Sequence, residues 1–296
     1  MQLGIRGALL LLTHSCNLRC DYCFDQNQRN RPDLSEDMAL AAIDWCLEQA
    51  AGERVHLGLF GGEPLARADL IEWLLPRARE RAGPRGKRIS FSIATNATLL
   101  TEPMAATLQR HRVTIQLSAD GIQPAQDAHR RFASGRGSFA VVDSKCRLIL
   151  DACPKAAVRM TVTPRNVRHM AESVAYYLEA GFRKVSPMPV YEEGWSDADL
   201  RIYGEQADLA GAILVREILA GRLDLEIGGF SDRIRAFGRP QARGRACGAG
   251  FSMVAIDTDG SIYPCHRFIG YTDRASAYRL GHVATGVDAP DDPLHG

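Results

Sequence analysis

Residues 8–23 read ALLLLTHSCNLRCDYC, a run of five apolar residues that leads directly into three closely spaced cysteines. A short apolar run is typical of a strand buried on both faces, and it is far shorter than the roughly twenty residues needed to cross a membrane. Arg6 before the run and Cys16 after it also resemble a short lipoprotein signal, but residues 13–15 are not the small apolar residues that such cleavage prefers. We therefore expect a buried strand that ends in a cysteine-bearing loop.

The three cysteines of this loop, Cys16, Cys20 and Cys23, lie within eight residues of each other. Their thiolates are close enough to hold one cubane iron–sulfur cluster, whose irons each take a sulfur ligand, and they leave one iron open. An open iron can bind the amino and carboxylate groups of a small molecule. Zinc is the alternative, and it requires a fourth protein ligand, for which His14 is a candidate.

Stretches of strand length alternate with helical patterns along the first 190 residues. The predicted strands are Leu3–Thr13, Val55–Phe60, Arg88–Thr95, Val113–Ser118, Val158–Thr163 and Lys184–Val190. The predicted helices are Ser35–Ala51, Asp69–Arg81, Thr101–Arg110, Ser138–Asp151 and Asn166–Glu179. Ser35 and Ser138 are candidate N-caps. Strict alternation favours a parallel sheet with helices packed outside it, so we predict an α/β fold, a partial (β/α)6 TIM-like barrel.

Polar or glycine-rich residues also follow the next three predicted strands. These segments are Gly61-Gly62-Glu63-Pro64, Thr95-Asn96-Ala97-Thr98 and Ser118-Ala119-Asp120-Gly121. Active-site groups in such barrels come from loops at the carboxyl ends of the strands, so we expect these segments and the cysteine loop to share one rim. Each segment could also be an ordinary turn at the end of a strand.

The alternation stops near residue 190. A long helical pattern at about Ala198–Ala220 and an arginine- and glycine-rich connection at Arg235–Arg245 follow. We therefore predict three parts, namely the barrel at 1–192, a helical linker at 193–245 and a small α+β domain at 246–296. The last part contains Cys247, Cys265 and a predicted pair of strands around the turn Asp257-Thr258-Asp259-Gly260.

The overall composition is that of an ordinary globular protein of 296 residues, with 46% apolar and 24% charged residues. Its formal charge is +1, so no strong global field would attract nucleic acid or an anionic membrane, and we expect neither as a partner. Eight cysteines without an export signal indicate a reducing compartment, where cysteine clusters bind metals more often than they form disulfides. The expected location is the cytoplasm.

The spacing of the three cysteines, with Tyr22 before the last, resembles the CxxxCxΦC signature of the radical S-adenosylmethionine (radical SAM) superfamily, in which Φ is aromatic. The resemblance covers nearly the whole chain. It implies that Cys16, Cys20 and Cys23 hold a [4Fe–4S] cluster. It further implies one-electron cleavage of S-adenosyl-L-methionine to methionine and a 5′-deoxyadenosyl radical, which removes hydrogen from a substrate carbon.

The three segments after the later strands are similar to the family's GGEP, TNGT and SxDG segments, with Ala97 in place of a glycine. The resemblance implies that bare glycine backbone approaches the cofactor, that Glu63 accepts a hydrogen bond from its ammonium group, and that Ser118 and Arg130 bind its carboxylate. A solvated ion pair between Asp127 and Arg130 on one helix is the alternative for that arginine. The residues implied to bind the cofactor are Tyr22, Gly61, Gly62, Glu63, Pro64, Asn96, Ser118 and Arg130.

The segment around Cys247 and Cys265, together with Tyr278–Val283, resembles the first half of a SPASM or twitch domain, whose members typically modify peptides or proteins and bind auxiliary iron–sulfur clusters. The family continues with further cysteines, whereas none follows Cys265 here. Two thiolates cannot fill four cluster positions. Either the sequence is shortened, or an auxiliary cluster at Cys247 and Cys265 is incomplete, borrowed or absent. Cys46 and Cys146 lie on apolar helical faces and are predicted to be core residues.

The resemblance leads us to expect the maturation of a ribosomally made precursor peptide, through a thioether or carbon–carbon cross-link or the inversion of a stereocentre. The expected electron donor is a protein such as flavodoxin or ferredoxin. Little sequence precedes the first strand, so we expect a peptide leader to bind a separate recognition protein or the barrel itself. The alternatives are oxidation of a sulfatase Cys or Ser to formylglycine, and a non-catalytic metal-binding module.

Overall fold

The computed structural model of the protein describes residues 4–25, 27–231, 234, 247–270 and 275–287. The predicted connection at Arg235–Arg245 lies outside these ranges. Within the described residues no helix is both long enough and apolar enough to cross a membrane.

The described strands form one sheet of eleven. Their bounds are β1 Gly7–Leu11, β2 Arg54–Phe60, β3 Arg88–Thr95, β4 Thr114–Ser118, β5 Ala157–Val162, β6 Lys184–Pro189, β7 Glu226–Ile227, β8 Met253–Ile256, β9 Ser261–Tyr263, β10 Gly281–His282 and β11 Gly286–Val287. The spatial order is β11-β10-β9-β8-β1-β2-β3-β4-β5-β6-β7, and every pair from β8 to β7 is parallel. All six predicted strands are present, and the open parallel sheet confirms the partial barrel.

Helices connect the strands as the alternation predicts. Their bounds are α1 Glu36–Gln49, α2 Ala68–Ala82, α3 Glu102–Arg110, α4 Gln123–His129, α5 Phe139–Ala152, α6 Met170–Glu179, α7 Asp197–Leu219 and α8 Arg267–Gly270. The Ser35 side chain caps α1 by accepting a hydrogen bond from Met38 N. Ser138 precedes α5 but its side chain caps nothing, because its hydroxyl accepts instead from Gln126 Nε2 at 2.9 Å. The prediction of that cap was wrong.

The two faces of the barrel sheet differ sharply, because successive side chains of a strand point to opposite faces. One face is apolar and lies buried beneath the helices, and the core there also contains Cys46 and Cys146, as predicted. The opposite face, which we call the inner face, carries mainly polar side chains on its central strands. They are Ser92, Gln116, Ser118, Arg159, Thr161 and Ser186, none of them fully buried. The inner face is therefore available to a polar ligand.

The carboxyl-terminal residues extend the same sheet. β8 pairs with β1 in parallel register, with Leu9 opposite Ala255, and β9 returns antiparallel to β8 with Tyr263 opposite Ala255. The predicted strand pair around residues 257–260 is thus confirmed. Phe268 and Ile269, in the short helix α8, pack with Tyr263 in a small apolar cluster that includes side chains of β1. The predicted division of the chain at residues 192 and 245 stays a prediction.

Candidate active site

The loop after β1 is held by the segment that follows β2. Gly62 N donates to Thr13 O at 2.8 Å, and Glu63 N donates to Ser15 O at 2.9 Å. A Cβ on Gly61, whose φ is +145°, would lie 2.2 Å from Thr13 O, and one on Gly62 would lie 2.5 Å from Ser15 O. These glycines are therefore required by the close approach of the cysteine loop itself.

The Glu63 side chain links the ends of two strands. Its buried carboxylate accepts hydrogen bonds from Leu65 N at 3.0 Å, from Thr95 Oγ1 at 2.6 Å and from Asn96 N at 2.7 Å. Burial raises the pKa of this carboxyl group, although the three hydrogen bonds oppose the shift. Pro64 is buried beside it and opens a short 3₁₀ turn. Donors of the chain thus bind both Glu63 oxygens, two on Oε1 and one on Oε2, so that Oε2 can accept one further hydrogen bond.

The segment after β3 lies against the cysteine loop. Asn96 Nδ2 lies 3.8 Å from Cys16 Sγ and 3.2 Å from Asn17 Oδ1, while Asn96 Oδ1 accepts from Thr98 N at 2.9 Å. Ala97, in the family's glycine position, is buried and has a left-handed φ of +58°. The chain therefore keeps the turn that glycine favours, at the cost of a strained alanine.

The three loop cysteines are free thiols and half-buried. Burial raises the pKa of Cys16 and raises that of Cys20 to about 12, and in both the nearby Cys23 adds to the shift. Among the described residues no three His, Cys, Asp or Glu side chains are placed to hold a single metal ion. In a cubane cluster each cysteine binds a different iron. Three neighbouring unpaired thiols are a donor set that fits such a cluster.

His14, the predicted alternative ligand for zinc, has both ring nitrogens occupied. Nδ1 lies 2.9 Å from Asp25 Oδ1, and Nε2 lies 2.7 Å from Asp257 Oδ1. Burial alone would lower the pKa of His14, but the two carboxylates outweigh it and raise the pKa to about 9. Asp257 Oδ2 also lies 2.6 Å from Arg31 Nη1. His14 therefore joins the cysteine loop to the β8–β9 turn and leaves no nitrogen for a metal.

Asp120, which follows β4, contacts two of the remaining predicted residues, Tyr22 and Arg130. Its carboxylate accepts from Tyr22 OH at 2.6 Å and from Thr161 N at 3.0 Å, and forms an ion pair with Arg130 Nε at 2.9 Å. Ser118 lies two residues earlier on the inner face, half-buried. The sequence interpretation selected Ser118 and Arg130 and missed Asp120, although an acidic residue in the same short segment as Ser118 was a usable signal.

The proposed ion pair between Asp127 and Arg130 was wrong. Arg130 is buried and pairs with Asp120, whereas Asp127 Oδ1 accepts from Phe139 N at 2.9 Å at the start of α5. The cause is the position of Arg130, which lies just after α4 and turns its side chain toward the sheet. Arg130 is therefore not part of a solvent-exposed ion pair with Asp127.

The carboxyl-terminal cysteines occupy different surroundings. Cys247 is exposed, while Cys265 is half-buried with its Sγ 3.5 Å from His266 Nδ1. The His266 ring packs against Phe24 and Phe60, with centroid distances of 5.4 and 4.5 Å. Burial, followed by nearby arginines, lowers the pKa of His266 to about 4. Cys265 therefore lies beside a histidine that contacts Phe24, the residue after the first cysteine loop.

The parallel barrel and the three thiols on its rim define an α/β protein with a donor set that fits a metal cluster. The chain belongs to the radical SAM superfamily, whose sequence model matches residues 10–199. It is therefore an enzyme that uses a [4Fe–4S] cluster and S-adenosyl-L-methionine. The alternative of a non-catalytic metal-binding module is set aside.

Sequence relatives cover most of the chain. It is 31% identical to the PqqA peptide cyclase of Xanthomonas campestris over 88% of its length and 67% of that protein. It is 24% identical to the cysteine-type anaerobic sulfatase-maturating enzyme of Clostridium perfringens over 90% of its length and 74% of that protein. A match of 27% identity to an uncharacterised protein of Methanocaldococcus jannaschii spans 62% of each chain, less than two thirds of that relative.

The solved structure of native anSMEcpe with bound AdoMet and Cp18Cys peptide has a similar fold. Its TM-score is 0.79 at 21% sequence identity, and the match covers 95% of this chain and 78% of that one. The fold is thus shared along nearly the whole length of the protein.

Proposed function

We propose that Cys16, Cys20 and Cys23 bind the [4Fe–4S] cluster of this enzyme. The observation that carries the assignment is the arrangement of the loop, in which three free thiols lie together while backbone hydrogen bonds and Asn96 hold it at the carboxyl ends of β1 to β3. The raised pKa values of Cys16 and Cys20 are those expected of partly buried thiols, which a bound metal deprotonates.

We further infer that the cofactor lies between this loop and Asp120. The ion pair fixes the Arg130 guanidinium through Nε, so that the remaining nitrogens can bind a carboxylate together with the Ser118 hydroxyl. The Glu63 carboxylate already accepts three hydrogen bonds, which leaves room for one more donor, such as an ammonium group. The backbone of Gly61 and Gly62 completes the same side of the site.

When bound, the reduced cluster would supply one electron to the sulfonium, and S-adenosyl-L-methionine would supply the carbon radical that takes a hydrogen atom from the substrate. The chain's part is to position these groups. Tyr22, beside Cys23, is fixed through its hydroxyl on Asp120, and its ring lies 5.6 Å from the Arg130 guanidinium carbon. Loop and cofactor residues therefore share one rigid support, as a short-lived radical requires.

We propose a ribosomally synthesised peptide as the substrate, with a cross-link or an epimerised residue as the product. Support comes from the 31% identity to a protein named as a peptide cyclase, over most of this chain. The polar inner face below the cysteine loop offers hydrogen-bonding groups that an extended peptide can use.

A sulfatase maturase is the second candidate. Relatives named as sulfatase-maturating enzymes match 90% of this chain, and the similar solved structure contains a bound peptide. On this interpretation the substrate is a Cys or Ser side chain within a protein, which is oxidised to formylglycine.

The proposal also includes an electron donor, an auxiliary cluster and a leader-recognition protein. An electron donor such as flavodoxin or ferredoxin would approach where Arg19, Arg29 and Cys20 line a common surface cavity. Cys247 and Cys265 are candidates for auxiliary-cluster ligands. A separate leader-recognition protein and a cytoplasmic location also stay part of this proposal.

Anaerobic reconstitution with iron and sulfide, followed by addition of AdoMet and dithionite, tests the assignment. We expect 5′-deoxyadenosine from the wild-type chain and none from the triple variant Cys16→Ala, Cys20→Ala, Cys23→Ala. Cys153→Ala, which changes a thiol outside both cysteine groups, is the control. Co-expression with a peptide encoded next to the gene, compared with a sulfatase-derived peptide, separates the two substrates by the mass change that each acquires. 5′-Deoxyadenosine formation by the triple variant would disprove the assignment.

A further inference from the structure

Arg159 is a long cationic side chain in the middle of the inner face. In the sheet it lies opposite Ser118 of β4 on one side and Ser186 of β6 on the other. Its neighbours Val158 and Met160 are buried in the core beneath the helices, so Arg159 points to the opposite face. It belongs to the same surface as Ser118.

Among the described residues, no carboxylate pairs with this charge. Within the described part of the chain the Arg159 guanidinium has no hydrogen-bond or ion-pair partner, and the side chain is exposed. Partial burial, and then repulsion from Arg267, lower the pKa of Arg159. An arginine held near a second cation, without an acid of its own, is ready to bind an anion.

The surrounding charges come from the carboxyl-terminal segment and the loop after β6. Arg267 pairs with Glu192, so that one of the two arginine charges is already compensated. The neighbouring His266 adds no negative charge in either of its protonation states. The net charge of this group, formed by Arg159, Arg267, His266 and Glu192, is therefore positive.

This group of charges lies beside the cysteine loop. The Arg267 guanidinium carbon is 5.8 Å from the centre of the Phe24 ring, and Phe24 follows Cys23 directly. The His266 ring contacts the same phenylalanine. An anion bound by Arg159 would therefore lie close to the place where we propose that the radical forms.

Arg159 borders the proposed cofactor site, because it lies opposite Ser118, but it lies apart from the ion pair of Asp120 and Arg130. Asp120, the partner of Arg130, binds the backbone N–H of Thr161. Thr161 is two residues beyond Arg159 along β5, which is about 7 Å nearer the carboxyl rim. Arg159 thus lies deeper in the barrel than the arginine that we assign to the cofactor.

We propose that Arg159, assisted by Arg267, binds a carboxylate of the substrate, so that the enzyme selects a peptide with an acidic residue next to the carbon that it modifies. This inference rests on the proposed peptide-modifying function and names its substrate class. Arg159 is a specificity-determining residue, because its guanidinium can bind a side-chain carboxylate through two parallel hydrogen bonds.

The experiment uses reconstituted holoenzyme with AdoMet and a randomised library of short synthetic peptides, whose bound fraction is sequenced by mass spectrometry. We expect wild-type enzyme to enrich Asp or Glu at one position by about tenfold, the size of one charge-assisted pair. Arg159→Gln should abolish the enrichment, and Arg159→Lys should restore part of it. Arg147→Gln, which changes an exposed arginine on α5, should leave it intact.

Two further measurements distinguish a failure of this inference from a failure of the proposed function. The iron content and AdoMet dissociation constant of Arg159→Gln should stay within about twofold of wild type. A large loss of AdoMet affinity would overturn the inference by placing Arg159 in the cofactor site. Wild-type enzyme that cleaves AdoMet but shows no acidic preference would also overturn it and leave the proposed function standing. Absence of AdoMet cleavage would instead contradict the proposed function.

Discussion

The cysteine loop at residues 16–23 and the pair Cys247 and Cys265 offer the same ligand atoms in very different surroundings. The loop has three half-buried thiols, and hydrogen bonds from the ends of several strands hold its backbone. Of the carboxyl-terminal pair, Cys247 is exposed and the sulfur of Cys265 contacts a histidine. The two groups therefore offer the same sulfur ligands but differ in how firmly the surrounding chain holds them.

The largest expected effect separates the two cysteine groups directly. Replacing Cys16, Cys20 and Cys23 by Ala should remove the [4Fe–4S] cluster, because three ligands are lost together. The double variant Cys247→Ala, Cys265→Ala should keep the electron paramagnetic resonance signal of a reduced cluster that shifts when AdoMet is added. Loss of that signal from the double variant would contradict the comparison.

The support of the loop can be tested without touching a thiol. Asp257→Asn removes a buried charge that binds both His14 and Arg31, and we expect a loss of about 3 kcal/mol in the free energy of unfolding. Asp259→Asn, in the same turn, changes the more exposed acid near Arg31 and should cost less than about 1 kcal/mol. Urea unfolding measures both, and equal losses would show that the buried network has no special role.

A smaller effect is expected at the aromatic residue of the loop. Tyr22→Phe removes the hydrogen bond to the buried Asp120 and should cost about 1.5 kcal/mol of stability. Tyr263→Phe is the matched change in β9, where the hydroxyl has no hydrogen-bond partner among the described residues, and it should change stability little. Thermal unfolding compares the two variants. A cost at Tyr263 as large as that at Tyr22 would contradict the expectation.

The smallest expected effect concerns backbone strain. Ala97 and Arg112 both have left-handed φ angles, +58° and +52°. Arg112→Gly should gain up to about 1 kcal/mol by releasing that strain, whereas Ala97→Gly should gain less because it also loses a buried methyl group. Denaturant midpoints measure both changes. A clear loss at Arg112 would show that its turn is not strained.

Local sequence patterns predicted the six barrel strands, because their apolar runs and turn residues lie within a few positions of each other. Short elements were harder. Helix α4 has only seven residues, Gln123–His129, too few for a clear helical period, and it was not predicted as an element. The Ser138 side chain fits a cap by residue type, yet it binds Gln126 instead, a choice that only packing reveals.

At the site, too, features carried by a short stretch of sequence were predicted, whereas contacts between distant residues were not. The cysteine spacing and the four strand ends were visible in the sequence, and the structure brings those segments together. The pairing of His14 with Asp257 joins residues 243 positions apart, which no local pattern contains. Asp257 was interpreted as a turn residue, and its second role in supporting the cysteine loop follows only from β8 lying beside β1.

The parallel pairing of β1 with β8 also has a consequence for synthesis on the ribosome. One edge of β1 can pair with β2 early, but the other stays open until residues 253–256 have been made. Contacts of such long sequence separation form slowly, because a long loop must close first. The strand leading into the cysteine loop therefore completes its pairing only after residues 253–256 have been translated.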